Sequence, residues 1–293
     1  MKEVMDVQIS NEEYQQYKPL LFSIGYRMLG SVAEAEDLVQ ETFLKAFQID
    51  VEKIENKKAY FCKIMTNKCL DVLKSSRYKR EHYIGTWNPE PLFSEKRLEL
   101  DPSELFLQKE GISIAYLRMM EYLTPDERIV LLLRKVLDFP YATISEILHK
   151  KVENCRKLFS RAMQKIAKVE GESLDYQKNK SVVDRFIQAF QNQQTETLLE
   201  LISENVTLYS DGGGKVKAAL RPITSFPSCL AFFNGIIKKA TGDIGLEISN
   251  INHQPAIVIY MNGFLYGIIS FYIVQDQINE FYMTINPDKL PVG

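Results

Sequence analysis

Cysteine is scarce in this sequence, and nothing pairs it. Cys62, Cys69, Cys155 and Cys229 form no Cys-x-x-Cys unit and have no histidine at metal-ligand spacing. That excludes a disulfide scaffold and a zinc ribbon, and it predicts buried free thiols in a reducing cytoplasm. No metal and no cofactor is expected. Neither sign of charge dominates: 36 Lys and Arg stand against 38 Asp and Glu, a net charge of −2. Any surface for nucleic acid must therefore be local. No apolar run is long enough to cross a membrane and no signal peptide opens the chain, so a cytoplasmic protein without a membrane partner is expected. A length of 293 residues predicts two or three domains.

What is present centres on residues 124–168. Thr124 with Glu127 makes a capping box, and Pro125 takes the first helical position. The helix from Arg128 breaks at Asp138-Phe139-Pro140, and Ile144, Ile147 and Leu148 give the next one an apolar face. Beyond His149-Lys150-Lys151, Cys155, Leu158, Phe159, Ala162 and Ile166 repeat at helical spacing. The opposite face carries Glu153, Asn154, Arg156, Lys157, Ser160, Arg161, Gln164 and Lys165. Two helices, a tight turn and a basic outer face describe a helix-turn-helix. Its lysines and arginines can neutralise phosphates, while Asn154, Arg156 and Ser160 can reach base edges. An amphipathic hairpin with a solvated charged face fits the periodicity as well.

Upstream, Ser10 with Glu13 and Ser31 with Glu34 cap two further helices. The first turns Tyr17, Leu20, Leu21, Ile24 and Met28 inward and ends at Gly30. The second buries Ala35, Leu38, Val39, Thr42, Phe43 and Ala46 and shows Glu36, Asp37, Gln40 and Glu41 outside. From residue 57 to 80 the charge reverses: basic residues face one acid, Asp71, with Asn67, Ser75, Ser76 and Tyr78 interleaved. A linker follows, holding the only Trp of the chain in Thr86-Trp87-Asn88-Pro89-Glu90-Pro91. Its prolines fix an extended path. Asp101, Ser103 and Glu104 then open a helix with Leu105, Ile112, Tyr116, Met119 and Met120 as its core side.

After residue 175 the composition changes. Two helices, with Val182, Val183, Phe186, Ala189 and Phe190 and then Leu198, Leu199, Leu201 and Ile202, precede strand-like stretches at 206–209, 244–248, 256–261, 264–274 and 278–285. Asn262-Gly263 marks a hairpin, and a helix over 227–240 interrupts the strands. This order predicts an α+β cone with a curved antiparallel sheet. Asp211-Gly212-Gly213-Gly214-Lys215 lacks the spacing of a phosphate-binding loop, and no Ser or Thr follows Lys215.

Residues 124–168 resemble region 4 of bacterial extracytoplasmic-function (ECF) sigma factors, with Glu153-Asn154-Cys155-Arg156-Lys157-Leu158-Phe159-Ser160-Arg161-Ala162 as the recognition helix. His149 stands where that family usually has Gly, and Lys151 where it usually has a Ser cap. Ala35-Glu36-Asp37-Leu38-Val39-Gln40-Glu41-Thr42-Phe43 resembles the polymerase-docking helix of sigma region 2. The linker resembles the Trp-Leu-Pro-Glu-Pro motif of the subgroup with an extra C-terminal domain, Asn88 replacing Leu. That subgroup also carries Asp-Gly-Gly-Gly-Lys and Asn-Pro-Asp-Lys-Leu, here at 211–215 and at Asn286-Pro287-Asp288-Lys289-Leu290. The last segment resembles the SnoaL-like superfamily.

The resemblance implies a multidomain chain: region 2 over 8–82, a linker over 83–104, region 4 over 105–170, and a SnoaL-like regulatory domain over 175–293. It implies RNA polymerase core enzyme and promoter DNA as partners. Glu36, Asp37, Gln40 and Glu41 would meet polymerase. Asn67, Lys74, Arg77, Lys79, Arg80, Asn154, Arg156, Lys157, Ser160 and Arg161 would meet DNA, and Lys165 a phosphate. The linker residues Trp87, Pro89, Glu90 and Pro91, the loop Asp211 to Lys215, and Asn286 to Leu290 would regulate in cis. SnoaL-like enzymes use an Asp/His dyad; this half has one histidine, His253, in a turn, so no catalysis is expected. An unidentified small ligand in the C-terminal domain stays open. The rival reading is a ligand-binding or enzymatic SnoaL-like protein with a helix-turn-helix attached.

Overall fold

The computed structural model describes residues 10–46, 54–81, 83–93, 112–167, 174–239 and 242–291. The proposed helix start at Asp101, Ser103, Glu104 and Leu105 lies outside them. The chain forms two compact units. Of the described residues, the first holds those up to 78 and those from 119 to 167; the second holds 79–93, 112–118 and those from 174 onward.

In the first unit, α1 (Asn11–Leu29) starts on the Ser10/Glu13 capping box, and Gly30 closes it at φ 68°. Two further helices, α2 (Val32–Ala46) and α3 (Lys57–Glu81), pack with it around Phe43 and Phe61, whose rings lie 5.5 Å apart. Glu13 also takes the Lys57 ammonium at 2.6 Å, tying the start of α3 to the start of α1.

Helix α4 (Ile114–Met120) leads into α5 (Pro125–Leu131), which continues through a π-type turn, Leu132–Val136. Next come α6 (Tyr141–Leu148) and α7 (Val152–Ile166). The Thr124/Glu127 capping box forms as expected. His149 adopts the left-handed conformation, φ 51°, that the turn requires, and the Ser145 hydroxyl steadies it by donating to the Lys150 carbonyl. Lys151 gives α7 no side-chain cap. Cys155, Leu158, Ala162 and Ile166 are buried, while Phe159 is only half-buried, edge-on to Tyr141. Tyr116 is half-buried too.

In the second unit, α8 (Tyr176–Gln191), capped by Asp175, and α9 (Thr195–Leu201) precede the sheet. Its strands are β1 (Ile202–Asp211), β2 (Ile223–Thr224), β3 (Ile244–Ile251), β4 (Gln254–Met261), β5 (Phe264–Val274) and β6 (Gln277–Thr284). Ile202 therefore opens β1 instead of ending a helix. The sheet order is β2-β1-β6-β5-β4-β3, and α10 (Phe226–Lys239) lies between β2 and β3 in the chain. The sheet is mixed, not antiparallel throughout: β1 runs parallel to β6. Parallel neighbours need a long connection, and all of β2 to β5 lies between these two. The hairpins turn at Asn252-His253, Asn262-Gly263 and Gln275-Asp276, all at positive φ. Phe186, Phe233, Phe271 and Phe281 form the core between helices and sheet, Phe233 and Phe281 meeting at 5.1 Å.

Two outcomes follow from α5 and α7. Lys151→Ser supplies the missing cap and should stabilise the first unit by about 1 kcal/mol in denaturant melts. Glu127, although burial pushes its pKa up, is held below the ordinary carboxylate range by Lys165 and by Thr124. A lowered pKa contributes stability above the unfolded-state value and loses it as pH falls through the folded one. The first unit should therefore weaken on acidification below the usual Glu range, and Glu127→Gln should flatten that part of the profile.

Candidate functional site

Three outward faces collect the charged candidates. On α2, Glu36, Asp37, Gln40 and Glu41 are all exposed, beside the exposed Leu44. Glu41 pairs with Lys68 of α3 at 2.5 Å. On α3, Asn67 and Lys74 are exposed, Lys74 next to Asp71 at 3.1 Å; Arg77, Lys79 and Arg80 continue the same helix, their side chains outside the described set. On α7, Asn154, Arg156, Lys157, Ser160 and Arg161 are exposed together, and the Arg156 guanidinium lies 5.6 Å from the Tyr141 ring centre. Lys165 is exposed on the same face, and its ammonium pairs with Glu127 at 2.6 Å, the counter-charge that the buried Glu127 carboxylate needs.

Several of the remaining candidates converge on one carboxylate. Asp211 ends β1 and has no solvent-exposed surface. Its Oδ1 accepts from the Tyr83 hydroxyl at 2.6 Å and the Gly213 amide at 3.0 Å. Its Oδ2 accepts from the Asn88 amide and the Lys289 ammonium, both at 2.8 Å. An ionised carboxyl survives burial only with such saturation. Lys289 completes its own shell with the Asn88 carbonyl and the aromatic faces of Trp87 (4.3 Å) and Tyr83 (5.2 Å). Burial, and then the bond to Asp211, push the Tyr83 hydroxyl pKa well up, so it stays a donor.

The glycines make this approach possible. Gly213 has φ 61°, and a Cβ on it would overlap the Asn286 side chain. Asn286 in turn donates to the Tyr83 hydroxyl at 3.1 Å and caps the short turn Pro287–Lys289 through the Asp288 amide. Gly212 is equally crowded, by the Val216 carbonyl, and Gly214 lies against Ile84.

Beyond the carboxylate, residues 83–93 are pinned along their length. Asn88 donates to the Met283 and Tyr209 carbonyls at 3.1 and 3.4 Å. Arg118 donates to the Trp87 carbonyl and stacks on Tyr209 at 4.2 Å. The Leu92 amide and carbonyl both bond Asn252, and Phe93 bridges to Ile251. Pro89 and Pro91 are buried and Glu90 half-buried. Lys215 and Asp288 form an exposed pair at 2.6 Å, and Leu290, like Phe93, packs against the small apolar cluster of Ile251, Ala256, Val258 and Ile268, outside the carboxylate shell. Sequence reasoning missed Tyr83, Asn88, Arg118 and Asn252. Asn88 was visible only as a departure from the linker motif, and the other three sit in no motif.

Residues 13–78 match the Sigma-70 region 2 family and residues 113–166 the Sigma-70 region 4 family. The ECF RNA polymerase sigma factor SigJ of Mycobacterium tuberculosis is 30% identical over 231 residues, covering 78% of this chain and 73% of the relative. The chain belongs to the ECF RNA polymerase sigma factors. As an alternative sigma factor it directs RNA polymerase core enzyme to specific promoters. SigG of the same organism is 28% identical over 273 residues, 84% of this sigma factor and 71% of that one. The crystal structure of M. tuberculosis SigJ shares the fold, with a TM-score of 0.79 at 24% identity over 96% of this chain and 98% of that one. The fold class is thus two all-α sigma domains followed by an α+β cone. Among the described residues, no helix of this sigma factor is long and apolar enough to cross a membrane.

The buried pair sets an expected outcome. Removing one charge leaves the other uncompensated, so Asp211→Asn should destabilise the second unit by about 3–5 kcal/mol. Tyr83→Phe removes one donor of four and should cost about 1–3 kcal/mol. Trp87 is the only Trp of the chain, so its fluorescence follows both variants in denaturant titrations. Equal midpoints for wild type and Asp211→Asn would contradict the assignment.

Proposed function

We propose that the C-terminal cone regulates this sigma factor in cis by holding the inter-region linker on the Asp211 carboxylate. The observation that carries the reading is the meeting of three separated motifs, at Trp87-Asn88, at Asp211-Gly212-Gly213, and at Asn286 to Lys289, in one bonded cluster. The cluster fixes the path of residues 83–93 as part of the second unit. Regions 2 and 4 must contact two promoter elements at once, and a linked pair gains affinity only when the linker geometry allows both contacts. A linker held along the cone has less reach than a free one, so the carboxylate controls that geometry.

Within the first unit a second restraint acts in the same sense. The buried Arg128 of α5 donates to the Met28 carbonyl at the end of α1 and pairs with Glu121 at 3.1 Å, and Lys58 of α3 lies 5.0 Å from the Phe139 ring. Regions 2 and 4 are held together in this conformer, and promoter engagement separates them.

The roles on the outer faces complete the proposal. Region 2 is taken as residues 8–82, the linker as 83–104, region 4 as 105–170 and the cone as 175–293. Glu36, Asp37, Gln40 and Glu41 dock on polymerase. Asn67, Lys74, Arg77, Lys79 and Arg80 hold the downstream promoter element, while Asn154, Arg156, Lys157, Ser160 and Arg161 read the upstream one. The cone acts as a regulator and not as an enzyme. The protein works in the cytoplasm, beside the polymerase and DNA it serves.

Transcription from a cognate promoter by full-length protein, by Asp211→Asn and by a chain ending before Asn286, at equal protein levels, tests the linker. Both altered forms should shift activity in the same direction and by a similar factor, because both free the linker. Equal activity of all three would make the cone a passenger. Docking is tested separately: Asp37→Lys with Glu41→Lys should weaken core-enzyme binding at least tenfold without altering the fold. Arg156→Ala should cost about 1–3 kcal/mol at one promoter position, read by selection on randomised sites.

A further inference from the structure

We infer that the C-terminal cone binds a small amphipathic anion, with its apolar part inside the cone and its charged head beside Lys217 and Lys239. Two adjoining spaces carry the inference. The first, about 90 Å³, lies between α8, α10 and the sheet, and its lining is apolar throughout, including Phe190, Ile237, Leu246 and Ile259. Native interiors leave few voids larger than a water molecule, and an apolar void of this order stays dry and takes up apolar guests, as an engineered cavity of ~150 Å³ does with benzene. Ile237 and Leu246 are 48% and 37% exposed, so the lining reaches the surface.

The second space is a groove of about 590 Å³ along α10 and the segment after Lys215. Ile236, Met261 and Tyr266 line both spaces, so the two adjoin at these three side chains. The groove differs from the cavity in one respect: Lys217 and Lys239 stand at its edge, and no carboxylate lines it. Both lysines are exposed, and neither takes part in an ion pair among the described residues. An apolar pocket adjoining a groove that holds two lysines and no acid favours a ligand with one apolar end and one anionic end. The cavity volume limits the apolar end to a short acyl chain or a single ring. The head is a carboxylate or a phosphate monoester; both chemistries suit the ammonium pair, and the arms of the experiment separate them.

The experiment is calorimetric titration of the full-length protein with octanoate, octyl phosphate, octanol and palmitate, each below its micelle concentration. Saturable one-to-one binding of octanoate or octyl phosphate is expected, at least tenfold tighter than octanol and palmitate. Lys217→Gln with Lys239→Gln should remove that preference while leaving octanol binding unchanged. Ile237→Trp, at the exposed mouth, should abolish binding of every probe. Leu246→Trp repeats the block from the opposite wall should Ile237→Trp fold poorly. No saturable binding of either anion overturns the inference. So does octanol binding as tightly as the anions, or binding that survives both mouth variants. The readout is binding alone, so it stands or falls independently of the linker restraint.

Discussion

A carboxylate without solvent contact is costly unless its lone pairs are filled, and Asp211 fills them with donors from its own loop and from two distant parts of the chain. Tyr83 and Asn88 come from the linker, Gly213 from the loop directly after β1, and Lys289 from the last turn. None can leave without stranding the others. If Lys289 is lost, an unpaired charge stays buried; if the linker leaves, two acceptor sites open. The mutual dependence makes the cluster cooperative, and it makes residues 83–93 a structural part of the cone instead of a tether. The parallel pairing of β1 with β6 serves the same end. It sets Asp211 opposite Thr284, two residues before Asn286, so the loop and the C-terminal turn emerge side by side.

The same physics gives the glycine run its meaning. Three glycines after a strand read as a loose loop, yet here the missing Cβ atoms admit Asn286, the Val216 carbonyl and Ile84 at close range. Permissive backbone is used for tight packing. On the helix-turn-helix the balance differs. His149 holds a left-handed turn without glycine's freedom, and Ser145 offsets part of that strain through the Lys150 carbonyl. The uncapped start of α7 leaves that end of the helix less secured, at the end nearest Asn154 and Arg156.

Much of this was legible in the sequence. The capping boxes at Ser10 and Thr124, the apolar spacing of α7 and the Asn262-Gly263 hairpin rest on local rules, and local rules survive folding. The acidic face of α2 and the basic face of α7 were equally plain, since exposure follows from the buried stripe opposite. Three kinds of feature were not legible. The parallel β1–β6 pair depends on long-range topology. Lys165 pairs with Glu127 because a buried capping carboxylate needs a counter-charge, which no spacing reveals. The bonds of Tyr83, Asn88, Arg118 and Asn252 join residues far apart in sequence, and polar side chains carry no periodic signature. The three motifs were visible one by one; their meeting on a single carboxylate was not.

Native-state hydrogen exchange on the full-length protein tests the central claim most directly. The Asn88 amide donates to Asp211 and the Leu92 amide to Asn252. Both should exchange as slowly as the β1 and β6 amides, and Asp211→Asn should release residues 83–93 while β3 to β5 stay protected. Fast exchange at Asn88 and Leu92 in the unaltered protein, or protection unchanged in Asp211→Asn, would contradict the account.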